Sequence, residues 1–164
     1  MKIRFPGSVL LLSFLVFACT EERPYKPLPA ELTRDHACSV CGMIIVDFPG
    51  AKGQIHYKNG KIDRFCSTLD LFVFYNQPDR PANIAAIFVN DMGKADPNHL
   101  HTYWTDAQKA FYVYGGDVMG PMGEALVPFS EKEAAGRYIK EHGGRIVSFG
   151  EVTMEMLRPD VHDH

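Results

Sequence analysis

The stretch AKGQIHYKNGKIDRFCSTLDLFVFYNQ, residues 51–77, decides how the chain is read. Its first part, 51–66, holds two short alternating runs around Asn59-Gly60, which predicts a β-hairpin with a type I′ turn. In 67–77 the period changes: Leu69, Phe72 and Val73 fall at helical spacing, and Ser67 with Asp70 supplies an N-terminal capping arrangement. The same order is written again farther along. Residues 108–129, QKAFYVYGGDVMGPMGEALVPF, read as two strands separated by a Gly-rich connection. Residues 130–144, SEKEAAGRYIKEHGG, predict a helix capped by Ser130, boxed by Glu133 and stopped by Gly143-Gly144. A phenylalanine stands just before each helix, Phe65 and Phe129. RIVSFGEV (145–152) predicts a final strand, ANIAAIFVND (82–91) a buried strand and LHTYWTD (100–106) another alternating segment. The expected class is α+β, with two related ββα-type units packed together rather than a doubly wound sheet. The units are expected at 36–80 and, as ββαβ, at 108–156, joined by connecting strands at 81–107 and followed by a flexible tail at 157–164.

The N-terminus sets the compartment. Lys2 and Arg4 precede an apolar run from Val9 to Phe17, then Ala18 and Cys19, which is the layout of a secretory signal and too short for a comfortable membrane span. Ending in LVFAC, it resembles a bacterial lipoprotein signal. That resemblance implies a signal peptide at 1–18, lipid on Cys19, a lipidated tether at 19–35 and a place on the periplasmic face of a membrane. Thr20, not Asp, follows the cysteine, which favours the outer membrane. An ordinary signal peptide cut nearby is the plainer alternative. Removing 1–18 takes away two positive charges and shifts the formal charge from −3 to about −5, so nucleic acid is not an expected partner.

With Cys19 assigned to lipid, three cysteines remain, Cys38, Cys41 and Cys66. An odd number cannot all enter disulfides in an oxidising compartment. HACSVCGM (36–43) therefore poses a choice between redox motif, structural staple and soft-metal site. A redox Cys-x-x-Cys wants its first thiol at a helix N-terminus, whereas the GMIIVDFPG that follows reads as strand and turn. A zinc knuckle would need a second ligand pair, from Cys66 and a histidine, and no matching pair is visible. A Cys38–Cys41 disulfide would leave Cys66 single. Thioethers favour the third choice: Met43 follows Cys41 by two, and GGDVMGPMG (115–123) carries Met119 and Met122. Thiolate and thioether together suit Cu(I) better than zinc, although each methionine reads equally well as a core gap-filler. Cys66 reads first as a cap or packing residue and second as a ligand. Among the histidines, His36 is close enough to complete a site and His56 reads as half-buried in a strand. His99 and His101 flank Leu100, and His142 sits at a helix C-terminus, where an imidazolium is favoured on its own account. The terminal HDH (162–164) would bind metal only weakly.

Taken in order, Cys19, CSVCGMII (38–45), RFCSTLDLF (64–72), AFYVYGGDVMGPMGEALVPFS (110–130) and EHGGRIVSFGEVT (141–153) resemble the NosL family over almost the whole mature chain. The resemblance implies a periplasmic lipoprotein that receives Cu(I) and passes it on for assembly of the copper-sulfide centre of nitrous oxide reductase. It implies as partners a membrane ABC-type assembly complex and the apo-reductase, and a fold of two related small α+β units. Carried onto this chain, the ligands it implies are Cys41 and Met43, Met119 or Met122, with Cys38 as a second thiolate and His36, His142 or Cys66 as further candidates. A three-coordinate Cys/Met set leaves an edge open for ligand exchange, and shared thiolates would allow a Cu-bridged homodimer. No enzymatic turnover is expected. The competing reading is a thiol-disulfide oxidoreductase that keeps copper-site ligands reduced, which would use Cys38 and Cys41 but have no need of the methionines.

Overall fold

The computed structural model describes residues 27–96, 102–120 and 123–158. The expected signal peptide, Cys19, His99, His101, Met122 and the HDH tail lie outside the described residues. The elements run β1 (Gly53–Tyr57), β2 (Ile62–Phe65), α1 (Thr68–Tyr75), β3 (Ile84–Asn90), β4 (Trp104–Asp106), β5 (Phe111–Gly120), β6 (Gly123–Phe129), α2 (Lys132–His142) and β7 (Arg145–Ser148). Two antiparallel sheets result, in the orders β2-β1-β3-β4 and β6-β5-β7. The expected repeat is present, and the first unit goes one strand further to match the ββαβ order expected of the second. In each unit a hairpin and a helix are followed by a strand that returns to pair with the hairpin's first strand, β3 with β1 and β7 with β5.

The first hairpin forms where expected, with a different turn. The Tyr57 N–H bonds the Lys61 carbonyl at 2.9 Å and the Gly60 N–H bonds the Tyr57 carbonyl at 2.9 Å. Among the described residues only glycines have positive φ, Gly60 at +84°, so Asn59 does not take the left-handed conformation a type I′ turn requires. The result is a three-residue loop closed by a left-handed glycine, in which Asn59 Oδ1 accepts the Lys61 N–H at 3.1 Å. At α1 the expected cap is present: the Ser67 hydroxyl accepts the Asp70 N–H at 3.0 Å.

Three expectations for the remainder need correction. Ser130 does not cap α2; Glu131 occupies the cap position without a side-chain bond, and Glu133 closes no box. Ser130 is taken instead by Asp91, which is 2% exposed and accepts both its N–H (3.1 Å) and its hydroxyl (2.5 Å). The charge-assisted bond to a buried carboxylate fixes the hydroxyl on Asp91, and Lys94 Nζ donates to its oxygen at 3.2 Å. The Gly-rich segment 115–123 is not mainly a connection. β5 runs through it to Gly120, pairing Met119 with Glu124 and Gly120 with Gly123 after a break in register beyond Tyr114. The break lets β5 touch the end of α2: a Cβ on Gly116 would sit 2.5 Å from the His142 carbonyl oxygen. Finally, the strand at 82–91 is buried only in its second half, because β4 is short and covers β3 only at Phe88–Asn90.

α1 packs against β1 and β2 of its own sheet and against β6 of the other, so one short helix belongs to both units. Phe72 on α1 meets Tyr112 of β5 with ring centroids 5.1 Å apart and Phe149 at 4.9 Å, which continues the core across the junction. On the opposite face of β1, Gln54 and His56 are buried, with Phe88 edge-on to the His56 ring at 5.2 Å. Gln54 holds both backbone polar groups of Ala30, at 2.9 and 2.6 Å. No helix among the described residues is long and apolar enough to cross a membrane.

Candidate metal centre

The centre begins with a ten-residue loop, His36 to Ile45. The Cys38 N–H bonds the Met43 carbonyl (2.8 Å), the Gly42 N–H bonds the Cys38 carbonyl (2.9 Å) and the Ile45 N–H bonds the His36 carbonyl (3.1 Å). Gly42, at φ +75°, makes the reversal. Closing the loop in this way turns backbone N–H groups onto sulfur. Cys38 Sγ faces the amides of Val40, Cys41 and Cys66, and Cys41 Sγ faces that of Met43. Dense N–H donation favours thiolates over thiols, which is the state in which sulfur binds a metal.

Cys66 closes the group from the other side. It ends the first hairpin and precedes the α1 cap, and the Ser39 N–H bond to the Arg64 carbonyl (2.8 Å) locks the loop onto β2 beside it. Cys38 (4% exposed), Cys66 (0%), the half-buried Cys41 and the buried Asp70 bring one donor atom each to within 4.8 Å of one another. Cys41 and Cys66 sulfurs are 3.5 Å apart, and all three cysteines are free thiols. Asp70 Oδ2 lies 3.1 Å from Cys66 Sγ and 3.3 Å from Cys38 Sγ. The Cys38–Cys41 disulfide considered from the sequence is not formed.

The protonation pattern follows from these contacts. Cys38 is pulled down to about 4, first by the Cys66 thiol donating to its sulfur and then, against the opposing effect of burial, by the three amides. Cys66 is pushed far up, because its proton is held between the Cys38 sulfur and Asp70 in a buried place. Burial raises Cys41 and, as the largest cause, Asp70 as well. The group therefore contains one ready thiolate and two thiols, with a carboxyl set against the Cys38 and Cys66 sulfurs. Three sulfurs on one soft patch fit Cu(I); the single carboxylate oxygen is the donor Cu(I) uses least, and its place here is in proton bonding.

The other sequence candidates are placed as follows. Met43 is half-buried against the core at the foot of the loop. Met119 is 65% exposed and is not in the cysteine group. It lines an apolar cavity of about 270 Å³ between the two units, whose wall also includes Ser67 and Thr68, the residues just after Cys66. His36 turns away into a local bond, with Nδ1 accepting the Thr33 N–H at 3.0 Å. His142 is engaged with Asp117 (3.0 Å) and stacks on Tyr138 with centroids 4.4 Å apart. Neither histidine joins the cysteine group. Cys66, read first as a packing residue, is at the middle of it. Asp70, read only as part of a cap, also belongs there, as does Lys52, which sequence reading passed over; its Nζ bonds the Cys66 carbonyl at 2.9 Å. The signal for Asp70 was its position one turn after Cys66.

The chain is similar to known proteins over most of its length. The chain is 36% identical over 169 residues to the copper-binding lipoprotein NosL of Stutzerimonas stutzeri, covering 94% of this chain and 86% of that protein. It is 31% identical to the copper-binding lipoprotein NosL of Achromobacter cycloclastes, over 87% and 77% of the two chains. The crystal structure of the copper chaperone NosL from Shewanella denitrificans superposes with a TM-score of 0.71 at 36% identity, over 80% of this chain and 99% of that one. The solution structure of apo-NosL from Achromobacter cycloclastes gives 0.50 at 30% identity, over 68% and 93%. With the sequence profile of NosL matching residues 29–157 as well, the chain belongs to the NosL family.

Proposed function

We propose that this protein carries Cu(I) on the periplasmic face of a membrane, anchored by lipid on Cys19, outer membrane favoured. We propose further that it passes the ion on for assembly of the copper-sulfide centre of nitrous oxide reductase, without turnover of its own. The observation that carries the reading is the convergence of three free thiols on one patch with one of them, Cys41, half open to solvent. Two buried sulfurs would hold Cu(I), and at the more open Cys41 edge an incoming ligand could bond to the copper while the Cys41 sulfur leaves it, which is what handing over a metal requires. Cys38, Cys41 and Cys66 are the thiolates of this site, with Met43 beside them. Met119, exposed at the cavity next to the Cys66 end of the cluster, and Met122 supply thioethers for the ion in passage. The names of the relatives support copper and lipidation.

The test is transfer. The mature chain loaded with Cu(I) is mixed anaerobically with apo nitrous oxide reductase and the membrane ABC-type assembly complex, and copper in the re-isolated reductase is measured. The expected result is copper gain that depends on loading and is lost with Cys41→Ser; copper that stays on the carrier in the presence of both partners refutes the delivery role. A second reading, thiol-disulfide exchange, draws on the ready thiolate of Cys38 and the 3.5 Å approach of Cys41 to Cys66. It predicts reduction of a partner disulfide by the copper-free protein.

A further inference from the structure

Lys52 is 0% exposed, and an ammonium so placed has to be compensated. Its Nζ bonds three carbonyl oxygens, those of Phe48 (2.7 Å), Pro49 (3.0 Å) and Cys66 (2.9 Å). These bonds satisfy its hydrogens and leave its charge uncancelled. Among the described residues no carboxylate forms an ion pair with it, and the nearby groups that would bring negative charge once they bind a metal ion are the sulfurs of Cys66 and Cys38. The lysine thus sits rigidly beside the thiol cluster, on the carbonyl of one of its members. Three thiolates around Cu(I) carry a net charge of −2, in a place where two of the sulfurs are buried. Such a charge is strongly disfavoured unless matched nearby.

We infer that Lys52 is the built-in counter-charge of the copper centre: its ammonium, clamped by three carbonyls, offsets half of the charge of a three-thiolate Cu(I) site and so sets how many cysteines bind the ion. It acts through the cysteines and is a positioning residue, not a ligand. The inference rests on the Cu(I) reading above.

The experiment is Cu K-edge X-ray absorption and competitive Cu(I) titration of the mature chain, wild type beside Lys52→Met and Lys52→Arg. Wild type is expected to show three sulfur neighbours. The Met variant, which keeps the apolar stem without the charge, is expected to fall to two, with affinity lower by roughly a hundredfold, the size of one unit-charge interaction over about 6 Å at an effective dielectric near 20. The Arg variant is expected to restore the third sulfur. A purely structural role would lower the melting temperature of the copper-free protein and leave the sulfur count at three; a folded Met variant with three sulfurs at wild-type affinity overturns the inference. Should the Met variant not fold, ¹⁵Nζ spectroscopy of the wild type decides. An ammonium retained in the Cu(I) form to about pH 9 agrees, and a neutral amine there contradicts it. If wild type itself takes up no Cu(I), the functional reading fails and this inference with it.

Discussion

Cys66 shows most clearly what a residue gains from its surroundings. On paper it is one cysteine ahead of a helix, and a buried cysteine is more often packing than chemistry. In the structure its sulfur lies 3.5 Å from Cys41 and 3.1 Å from Asp70. Nothing in the spacing of 25 residues between Cys41 and Cys66 announces this, because the contact is made by a loop folding onto the edge of a sheet. Cys38 and Cys41, by contrast, were legible from sequence: the short loop that joins them brings both to the cluster. Replacing Cys66 by Ser is expected to weaken Cu(I) binding by at least about tenfold, measured with a competing chelator, while leaving the far-ultraviolet circular dichroism unchanged; the loss of one of three soft donors sets the scale. The pH dependence has a definite sign. Cys41 and Cys66 are both raised, so their protons must leave when Cu(I) takes their sulfurs. Apparent affinity should therefore rise with pH by about tenfold per unit for each proton displaced, which titrations at pH 6, 7 and 8 would show.

At the scale of elements, the two helices differ in how they begin, and this separates what pattern reading can reach from what it cannot. Both were expected to start with a serine cap. Ser67 forms one, and Ser67→Ala should lower stability by about 1 kcal/mol in urea unfolding. Ser130 instead bonds Asp91, thirty-nine residues away on the strand side of the junction, so the local signal was overridden by a tertiary partner. Asp91 accepts from Gly93, from both groups of Ser130 and from Lys94, and the neighbouring Met92 N–H bonds the Pro128 carbonyl at 2.9 Å. This node fastens the end of the first sheet to the start of α2. Asp91→Ala is expected to destabilise by roughly 2–4 kcal/mol, because it strands buried donors as well as losing bonds. An effect below about 0.5 kcal/mol in the same unfolding measurement would show that the node carries no weight. The hairpins were legible from alternation and turn residues; the turn type was not, since Asn-Gly serves two-residue and three-residue loops alike.

The whole molecule is a twofold repeat whose copies have diverged in chemistry. One unit places Cys66 before its helix where the other places Ser130, and the first carries the cysteine loop while the second contributes the long β5–β6 ribbon that carries Met119 to the shared cavity. The repeat was visible in the order of elements. The return strands β3 and β7 complete it, and their equivalence depends on pairing that sequence does not display. Ala30, expected as part of a tether, is bonded through its backbone to Gln54, whose side chain in turn bonds the buried His56. Burial, with a smaller push from Arg64, depresses the pKa of His56 below its ordinary 6.5, so the folded state favours the neutral ring. That contribution to stability is present above 6.5 and is lost as pH falls through the depressed folded value. Thermal unfolding of the copper-free protein should accordingly show a falling melting temperature below about pH 6.5, with a shallower fall in His56→Gln.

Three cysteines from two separate segments are proposed to make one Cu(I) site. Cu K-edge X-ray absorption of the mature chain loaded anaerobically with one equivalent of Cu(I), wild type beside Cys66→Ser, decides the matter. Three sulfur neighbours are expected in the wild type and one fewer in the variant. A sulfur count that is the same in both would contradict the proposal and return Cys66 to the core.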